Sequence, residues 1–379
     1  MEFPVGASVT LAELEDDPHP VLARLRAHEP VSWLPALGGW LVTSRELALQ
    51  VMRDAGTFTV DDPRFTTGQV VGTSMLTLDG EEHARHRDPF ARRFRLDAVR
   101  AEYARFVETE AKRLVAAFAA DGQAELRRAL AGPLAATTVA RSLGLDVGDV
   151  REMLGWYDAM VAAVTQLTAG GSITEDARAA FAALHARVAP ELEGTGTLST
   201  DEAVSNAAVL LFGGIETTEG MIANAIRHVL SHPDALAAIR ADPSLAAAAV
   251  EESLRLEPAA AVVDRYATRD VRIGGADVRR GDLVEVSLAG ANRDPGFFPD
   301  PDRFDLFRAN ARHHVAFAHG PHVCVGMHLA RLEAQTALRL VLELPDVRLD
   351  PARPSAPSGL VFRKPPALYA VWSGIPAAS

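Results

Sequence analysis

Phe317-Ala-His-Gly320-Pro-His322-Val-Cys324-Val-Gly326-Met-His-Leu329-Ala330-Arg331 holds the only cysteine of a 379-residue chain. Before Cys324 the stretch is punctuated by glycine and cannot be a regular helix. After it, Leu329 to Leu344 carries apolar residues at helical spacing. Cys324 therefore stands where a loop hands over to a helix, near unsatisfied N–H groups and the positive end of the helix dipole. Such a place is expected to lower the thiol pKa and favour thiolate, the form that ligates a metal or attacks carbon. Gly320 and Gly326 let the backbone turn with positive φ or pass close to a flat group. A lone cysteine is also compatible with a small buried hydrophobe, and spacing alone does not choose between the two readings.

The order Phe-x-x-Gly-x-His-x-Cys-x-Gly-x-x-Leu-Ala-Arg does choose. It resembles the haem-binding loop of the cytochromes P450 at every position of that family's pattern. The resemblance implies haem b, with its iron held by the Cys324 thiolate, whose electron density favours O–O cleavage. It also implies that Phe317 packs beside the haem near the sulfur, that Gly326 lies against it, and that His322 contacts a propionate.

Composition is consistent with this. Nearly half the residues are apolar, enough for a sizeable core. A formal charge of −12 argues against general nucleic-acid affinity. One cysteine excludes an internal disulfide framework. Met1-Glu-Phe-Pro-Val-Gly has no basic region followed by an apolar run, and no apolar stretch reaches a membrane span. A cytoplasmic, monomeric protein with no membrane contact is expected. Lys112 and Lys364 are the only lysines beside 36 arginines, which reads as coding bias.

Most of the chain carries helical periodicity. One helix is expected over 8–27, two short strands over 31–34 and 39–43, and a helix over 45–53. Residues 55–79 read as irregular, and a loop of that length is usually functional or mobile. Asp79 opens the next helix, and further helices are expected at about 97–120, 124–144, 147–167 and 175–192. Thr168-Ala-Gly-Gly-Ser172 joins the last two. Ser199-Thr-Asp-Glu202 is a capping box for the longest helix, 199–231. Helices at 233–241 and 244–256 follow, then short β runs at 262–266, 271–273, 276–278 and 283–287. Strand-like segments at 347–349, 360–362 and 367–372 end the chain. The expectation is one domain over 1–379, mainly α with a small β portion near 31–43, 262–287 and 347–372. This agrees with the P450 fold that the resemblance implies, in which a long central helix crosses the haem.

Within the long helix, Gly213 and Gly214 together cost roughly 1–2 kcal/mol relative to alanine. Either a close helix crossing or a groove against a ligand offsets that. Thr217 can turn its hydroxyl onto an upstream carbonyl and loosen the ladder. The stretch resembles the family's oxygen-activating Gly-Gly-x-(Asp/Glu)-Thr, implying that Thr217 helps deliver protons and that Glu216 feeds the relay. Glu252 and Arg255, three apart on one helix face, match the family's Glu-x-x-Arg, and Arg303 before Phe304 matches its third member. This trio is expected to hold the loop that presents Cys324. His83 and Arg87, four apart on one face, and Arg265 match propionate-binding positions. Arg85 and His86 lie off that face and are expected to meet solvent. Arg92, Arg93, Arg95, Arg312, His313 and His314 form a basic cluster suited to docking a small acidic electron carrier.

No further cysteine and no Gly-x-Gly-x-x-Gly opening a helix is present, so electrons are expected from a ferredoxin or flavodoxin with its NAD(P)H reductase. The expected activity is a haem-thiolate monooxygenase using O2 to hydroxylate or epoxidise a medium-sized, mostly apolar organic molecule, in secondary metabolism. A peroxygenase or rearranging enzyme is one alternative, although its branches usually alter the pair seen here as Glu216-Thr217. A non-catalytic haem-binding sensor is the other. By resemblance, the pocket walls come from the 60–78 loop, the 160–180 region, Val209–Thr217, Ala259–Val263 and the turn near Leu360-Val361. Met75, Leu76, Phe212, Gly213, Ala260, Val263 and Val361 are the named lining residues. Arg64 and Arg178 are the cations that could bend in.

Overall fold

The structure is a computed structural model that describes residues 3–145, 150–168, 172, 174–192 and 197–373. Its axis is the helix Thr200–Leu230. The capping box forms as expected: the Glu202 N–H donates to Ser199 Oγ (3.2 Å), and the Ser199 N–H donates to Glu202 (2.8 Å). From Ala203 to Val229 the helix is buried on nearly every side, so it reads as apolar all round. Helices Gly132–Ser142, Glu175–Leu192, Ala246–Leu256 and Met327–Leu342 pack around it.

A five-stranded sheet stands at one side. Its order is Val31–Leu34, Gly39–Val42, Leu283–Ser287, Val262–Ala267 and Phe58–Thr59. Only the Gly39–Val42 and Leu283–Ser287 pair is parallel. Arg265 pairs with Val284 in this sheet, so its strand carries Arg265 to the edge of the helical body. A second sheet joins Gln123–Glu125, Tyr369–Val371 and Arg348–Leu349.

Several expected elements change form. The helix over 8–27 divides into Leu11–Glu15 and His19–His28, because Asp16-Asp17-Pro18 breaks it, and a short helix Pro4–Ala7 precedes them. The irregular 55–79 stretch contains the strand Phe58–Thr59 and the helix Thr66–Val71. The helix over 97–120 begins with a π turn at Val99–Tyr103, and that over 124–144 with one at Arg127–Ala131. Residues 360–362 make no strand. Gly359, at φ +112, turns so tightly that a Cβ there would collide with the Phe362 carbonyl, and the segment makes isolated bridges, Ala260 with Phe362 and Ser358 with Lys364. Residues 146–149 and most of the 168–172 connector lie outside the described residues.

Candidate active site

The cysteine loop is held from all sides. The Cys324 N–H donates to the Phe317 carbonyl (2.9 Å), closing the loop on itself. Gly320 sits at φ +75, and a Cβ there would strike the Met52 carbonyl, so glycine is required twice over. Ala318 adopts φ +57, a conformation costing an L residue about 1–2 kcal/mol. Surrounding contacts enforce it. Val315 N–H donates to Asn292 (2.7 Å), and Arg87 donates to the Val323 carbonyl (2.7 Å). Glu251 accepts from Arg331 (2.6 and 3.0 Å) and meets His314 Nε2 (3.2 Å). The Arg331 guanidinium also lies over the Phe317 ring, 4.5 Å from its centroid.

The expected lowering of the Cys324 thiol pKa is corrected. The helix starts at Met327, three residues on, and burial of the sulfur pushes the thiol up. The Gly326 N–H, Arg87 and Arg331 pull it only part of the way back. A cation at the sulfur would favour the thiolate.

A cradle of cationic and hydrogen-bonding groups lies beside this loop. The His83 and His322 rings lie 4.4 Å apart between centroids, tilted by 46°. His83 Nε2 is buried without a hydrogen-bond partner. Arg265 is 4% exposed, yet its hydrogen bonding ends at the carbonyl of its own neighbour Asp264 (2.7 Å). A buried imidazole nitrogen without a partner and a guanidinium with spare donors are what a carboxylate-bearing ligand would satisfy. Asp79 anchors the cradle, accepting from Thr59 Oγ1 (2.6 Å) and Val60 N–H (3.0 Å) and meeting His322 Nε2 (2.8 Å). Burial pushes the Asp79 carboxyl up, but these bonds outweigh it and bring it to about 2. Burial, helped by His322 and Arg87, depresses His83 to about 4.

The His83 shift has a consequence for the haem-free protein. The unfolded chain takes a proton on His83 near 6.5, whereas the folded chain resists until about 4. Stability is therefore expected to fall as pH drops from about 6.5 towards 4, with Asp79 adding a further loss below about 4. Urea midpoints at about pH 7 and about pH 5 test this, with His83→Gln flattening the difference. Equal wild-type midpoints would exclude it.

At the centre of the long helix the two glycines do different work. A Cβ on Gly214 would come within 2.9 Å of Val139 on helix Gly132–Ser142, so this glycine permits a close crossing. A Cβ on Gly213 would meet nothing within 4 Å, so this one faces open space. The Thr217 hydroxyl donates to the Gly213 carbonyl (2.6 Å), as expected. The helix stays α-helical through the stretch, so the ladder is shared rather than broken.

Glu216 is buried and held by a residue that sequence reading missed. Lys364 Nζ lies 2.7 Å from Glu216 Oε1, 2.6 Å from Glu219 Oε2 and 3.1 Å from the Tyr157 hydroxyl. Arg127 reaches Glu219 at 3.1 Å and also binds the Pro365 and Pro366 carbonyls. Gly132 leaves room for Glu219, since a Cβ there would sit 3.1 Å from Oε1. Burial pushes the Glu219 carboxyl up, and Lys364 with Arg127 brings it below its ordinary value. Glu216 Oε2 remains buried without a partner. The available signal was rarity: Lys364 is one of two lysines in the chain.

The Glu252 trio is corrected in one member. Glu252 grips Arg255 through both oxygens (2.8 Å each), and the pair is fully buried. The third side chain is Arg308, whose Nε lies 3.0 Å from Glu252 Oε1. Arg303 points to solvent and contributes its carbonyl, which accepts from Arg255 (3.0 Å) and Arg308 (3.1 Å). Phe304, Leu306 and Arg308 alternate inward, so a period of two carries Arg303 outward.

Other expectations are sorted by burial. His86 is fully buried and Arg85 is paired with Glu202 (2.6 Å), so neither simply meets solvent. Arg92, Arg93, Arg95, Arg312 and His313 are exposed, but His314 is buried against Glu251 and leaves the basic cluster. Phe212 packs edge-on to Phe362 at 5.7 Å, Met75 is buried, and Leu76, Ala260, Val263 and Val361 are half-buried. Arg64 is forked onto Asp62 (2.8 Å) and lies over Tyr266, and the exposed Arg178 faces Glu175 (3.7 Å), so neither turns inward.

Comparison with known proteins agrees with this arrangement. The family model described as Cytochrome P450 matches residues 172–371. The chain is 37% identical over 359 residues to the cytochrome P450 monooxygenase PikC of Streptomyces venezuelae, covering 88% of this chain and 85% of that one. It is 31% identical to the vitamin D(3) 25-hydroxylase of Pseudonocardia autotrophica, covering 88% of each. The solved structure of CalO2 superposes with a TM-score of 0.87 at 27% identity, covering 96% of this chain and 99% of that one.

Proposed function

This chain belongs to the cytochrome P450 family and is a monooxygenase of it; on that premise we propose that it oxidises a medium-sized, mostly apolar small molecule using electrons from a ferredoxin or flavodoxin. The family binds haem b through a cysteine thiolate, and Cys324 is the only cysteine. The residues present fit that group: the half-buried thiol of Cys324, an unpartnered His83 nitrogen and the spare donors of Arg265. In this reading Cys324 is the axial ligand, while His83, Arg87, Arg265 and His322 hold the propionates. When bound, the haem supplies reductive activation of O2 and transfer of one oxygen atom.

The observation that carries the proposal is the pairing of Glu216-Thr217 with the open space at Gly213. The Thr217 hydroxyl, anchored on the Gly213 carbonyl, keeps its oxygen lone pairs free to accept a proton. Glu216 stands behind it with one oxygen on Lys364 and the other unpartnered. Lys364 holds two carboxylates at once, so Glu216 can turn away without leaving a buried ammonium unpaired. Glu216→Gln is expected to lower product formation about a hundredfold. Lys364→Met is expected to raise the reductant consumed per product severalfold, because Glu216 loses its fixed position. Unchanged coupling in Lys364→Met would remove the lysine from the relay.

The walls supporting an apolar substrate are Leu76, Phe212, Ala260, Val263 and Val361, with Arg64 and Arg178 turned elsewhere. The relatives named above, PikC and the vitamin D(3) 25-hydroxylase, support a small-molecule role. No helix among the described residues is long and apolar enough to cross a membrane. The exposed Arg92, Arg93, Arg95, Arg312 and His313 support docking of an acidic electron carrier. The test is a titration of the ferric protein with terpenes, steroids, fatty acids, macrolactones and aromatic metabolites, following the spin-state shift of the Soret band. A shift with one class supports the pocket and names its substrate type. Val263→Asp is expected to weaken that binding at least tenfold without loss of haem. Unchanged binding would take Val263 out of the wall, and no shift with any compound would point to a carrier-tethered substrate.

A further inference from the structure

Arg363 is buried, and its guanidinium spends all of its five N–H donors. Nε donates to Glu257 Oε1 (2.8 Å). Nη1 donates to the carbonyls of Glu15 (2.9 Å) and Gly359 (3.0 Å). Nη2 donates to those of Asp16 (3.1 Å) and Pro357 (3.0 Å). One side chain thus joins the end of helix Leu11–Glu15, the residue after helix Ala246–Leu256 and the turn that leads to Arg363 itself.

The main chain of Arg363 is held as well. Its N–H donates to the Ala259 carbonyl (2.8 Å), and its carbonyl accepts from Asn224 Nδ2 on the long helix (3.0 Å). The same Asn224 nitrogen donates to the Glu257 carbonyl (3.1 Å). Glu257 Oε2 lies 3.0 Å from His19 Nε2. Burial pushes the Glu257 carboxyl up, but His19 and Arg363 outweigh it and bring it to about 2. The Arg363–Glu257 bond is therefore charge-assisted, with a fixed direction.

This clasp holds one edge of the pocket. The Gly359 N–H closes onto the Glu15 carbonyl (2.8 Å), and the Ala261 N–H donates to the Val361 carbonyl (2.8 Å). Ala260 faces Phe362 across a bridge, and Phe362 packs against Phe212, the residue before Gly213. Ala260 and Val361 are wall residues in the pocket reading above.

We infer that Arg363 is a positioning residue for substrate: with Glu257 it fixes the Val361–Phe362 edge against Ala260 and ties that edge to the N-terminal junction Glu15-Asp16. The N-terminal helices thereby belong to the frame of the pocket, and how tightly a substrate is gripped depends on them. The inference rests on the pocket reading for what the edge does, and on the bonds above for what holds it.

Arg363→Lys tests it in the haem-loaded protein. Lysine keeps the charge, but its single nitrogen cannot reproduce a five-donor fork spread over three segments. The thiolate-type carbon monoxide band and the haem content are expected to stay. The compound that shifts the wild-type Soret band should bind about tenfold more weakly or worse. Product should spread over more positions, and more reductant should be consumed per product. The Gly359 and Ala261 amides should exchange faster. Glu257→Gln, which leaves the fork but removes its charged acceptor, should move the same readouts in the same direction by about threefold. A lower urea midpoint with unchanged binding, coupling and product pattern would make Arg363 merely structural and overturn the inference, leaving the pocket reading intact. If Arg363→Lys loses haem, Glu257→Gln decides on the same readouts. If the wild type shifts with no compound, the pocket reading falls, and exchange at Gly359 and Ala261 judges the clasp: rates unchanged in both variants would overturn it.

Discussion

Cys324→Ser is expected to abolish oxygen insertion and to remove the strongly red-shifted Soret band that ferrous carbon monoxide complexes show under thiolate ligation. Serine is nearly isosteric, and the Cys324 bond that closes the loop comes from the backbone N–H, so the loop itself should survive. What disappears is the ligand. A hydroxyl stays protonated where a coordinated thiol gives up its proton, and the burial that raises the Cys324 thiol would disfavour an alkoxide still more. The check is the carbon monoxide difference spectrum beside a product assay. A retained thiolate-type band would refute Cys324 as the axial ligand.

Glu252→Ala carries the second large effect. It leaves two guanidiniums, Arg255 and Arg308, in the interior without their carboxylate, and it strips the Asp305 N–H of its acceptor (2.9 Å). Breaking a buried pair from one side costs about 3–5 kcal/mol. Because Arg255 also holds the Asn292 and Pro301 carbonyls (3.1 and 2.6 Å), the loss should spread to the segment carrying the cysteine loop. Asn292 receives the Val315 N–H, so haem retention should fall together with the unfolding midpoint. The companion variants separate the two arginines. Arg308→Ala should cost several kcal/mol, whereas Arg303→Ala should stay within about 0.5 kcal/mol, since its side chain is exposed. The opposite ranking in urea unfolding would restore Arg303 to the trio.

Much of this was legible from local pattern. The strands at Val271–Ile273, Ala276–Val278 and Leu283–Ser287 fall where alternation and turn residues put them, because a hairpin is written in its own few residues. The capping box at Ser199 and the hydroxyl bond of Thr217 are contacts within one helical turn. The paired glycines were legible as an anomaly but not as a division of labour. Gly214 meets Val139, which lies far away in the chain, and Gly213 meets nothing.

The residues themselves determined the cysteine loop, the acid–threonine pair, the Glu252–Arg255 pair and the mainly helical class. Each is a short pattern whose members touch through neighbouring backbone. Tertiary structure alone decided which arginine completes the Glu252 trio, that Lys364 reaches Glu219 from 145 residues away, and that His86 is buried against Asn206. It also decided that burial outweighs the loop's N–H groups at Cys324. The physical reason is common to all four. Electrostatic partnership and desolvation depend on distance in space and on what excludes water, and neither is a function of spacing along the chain.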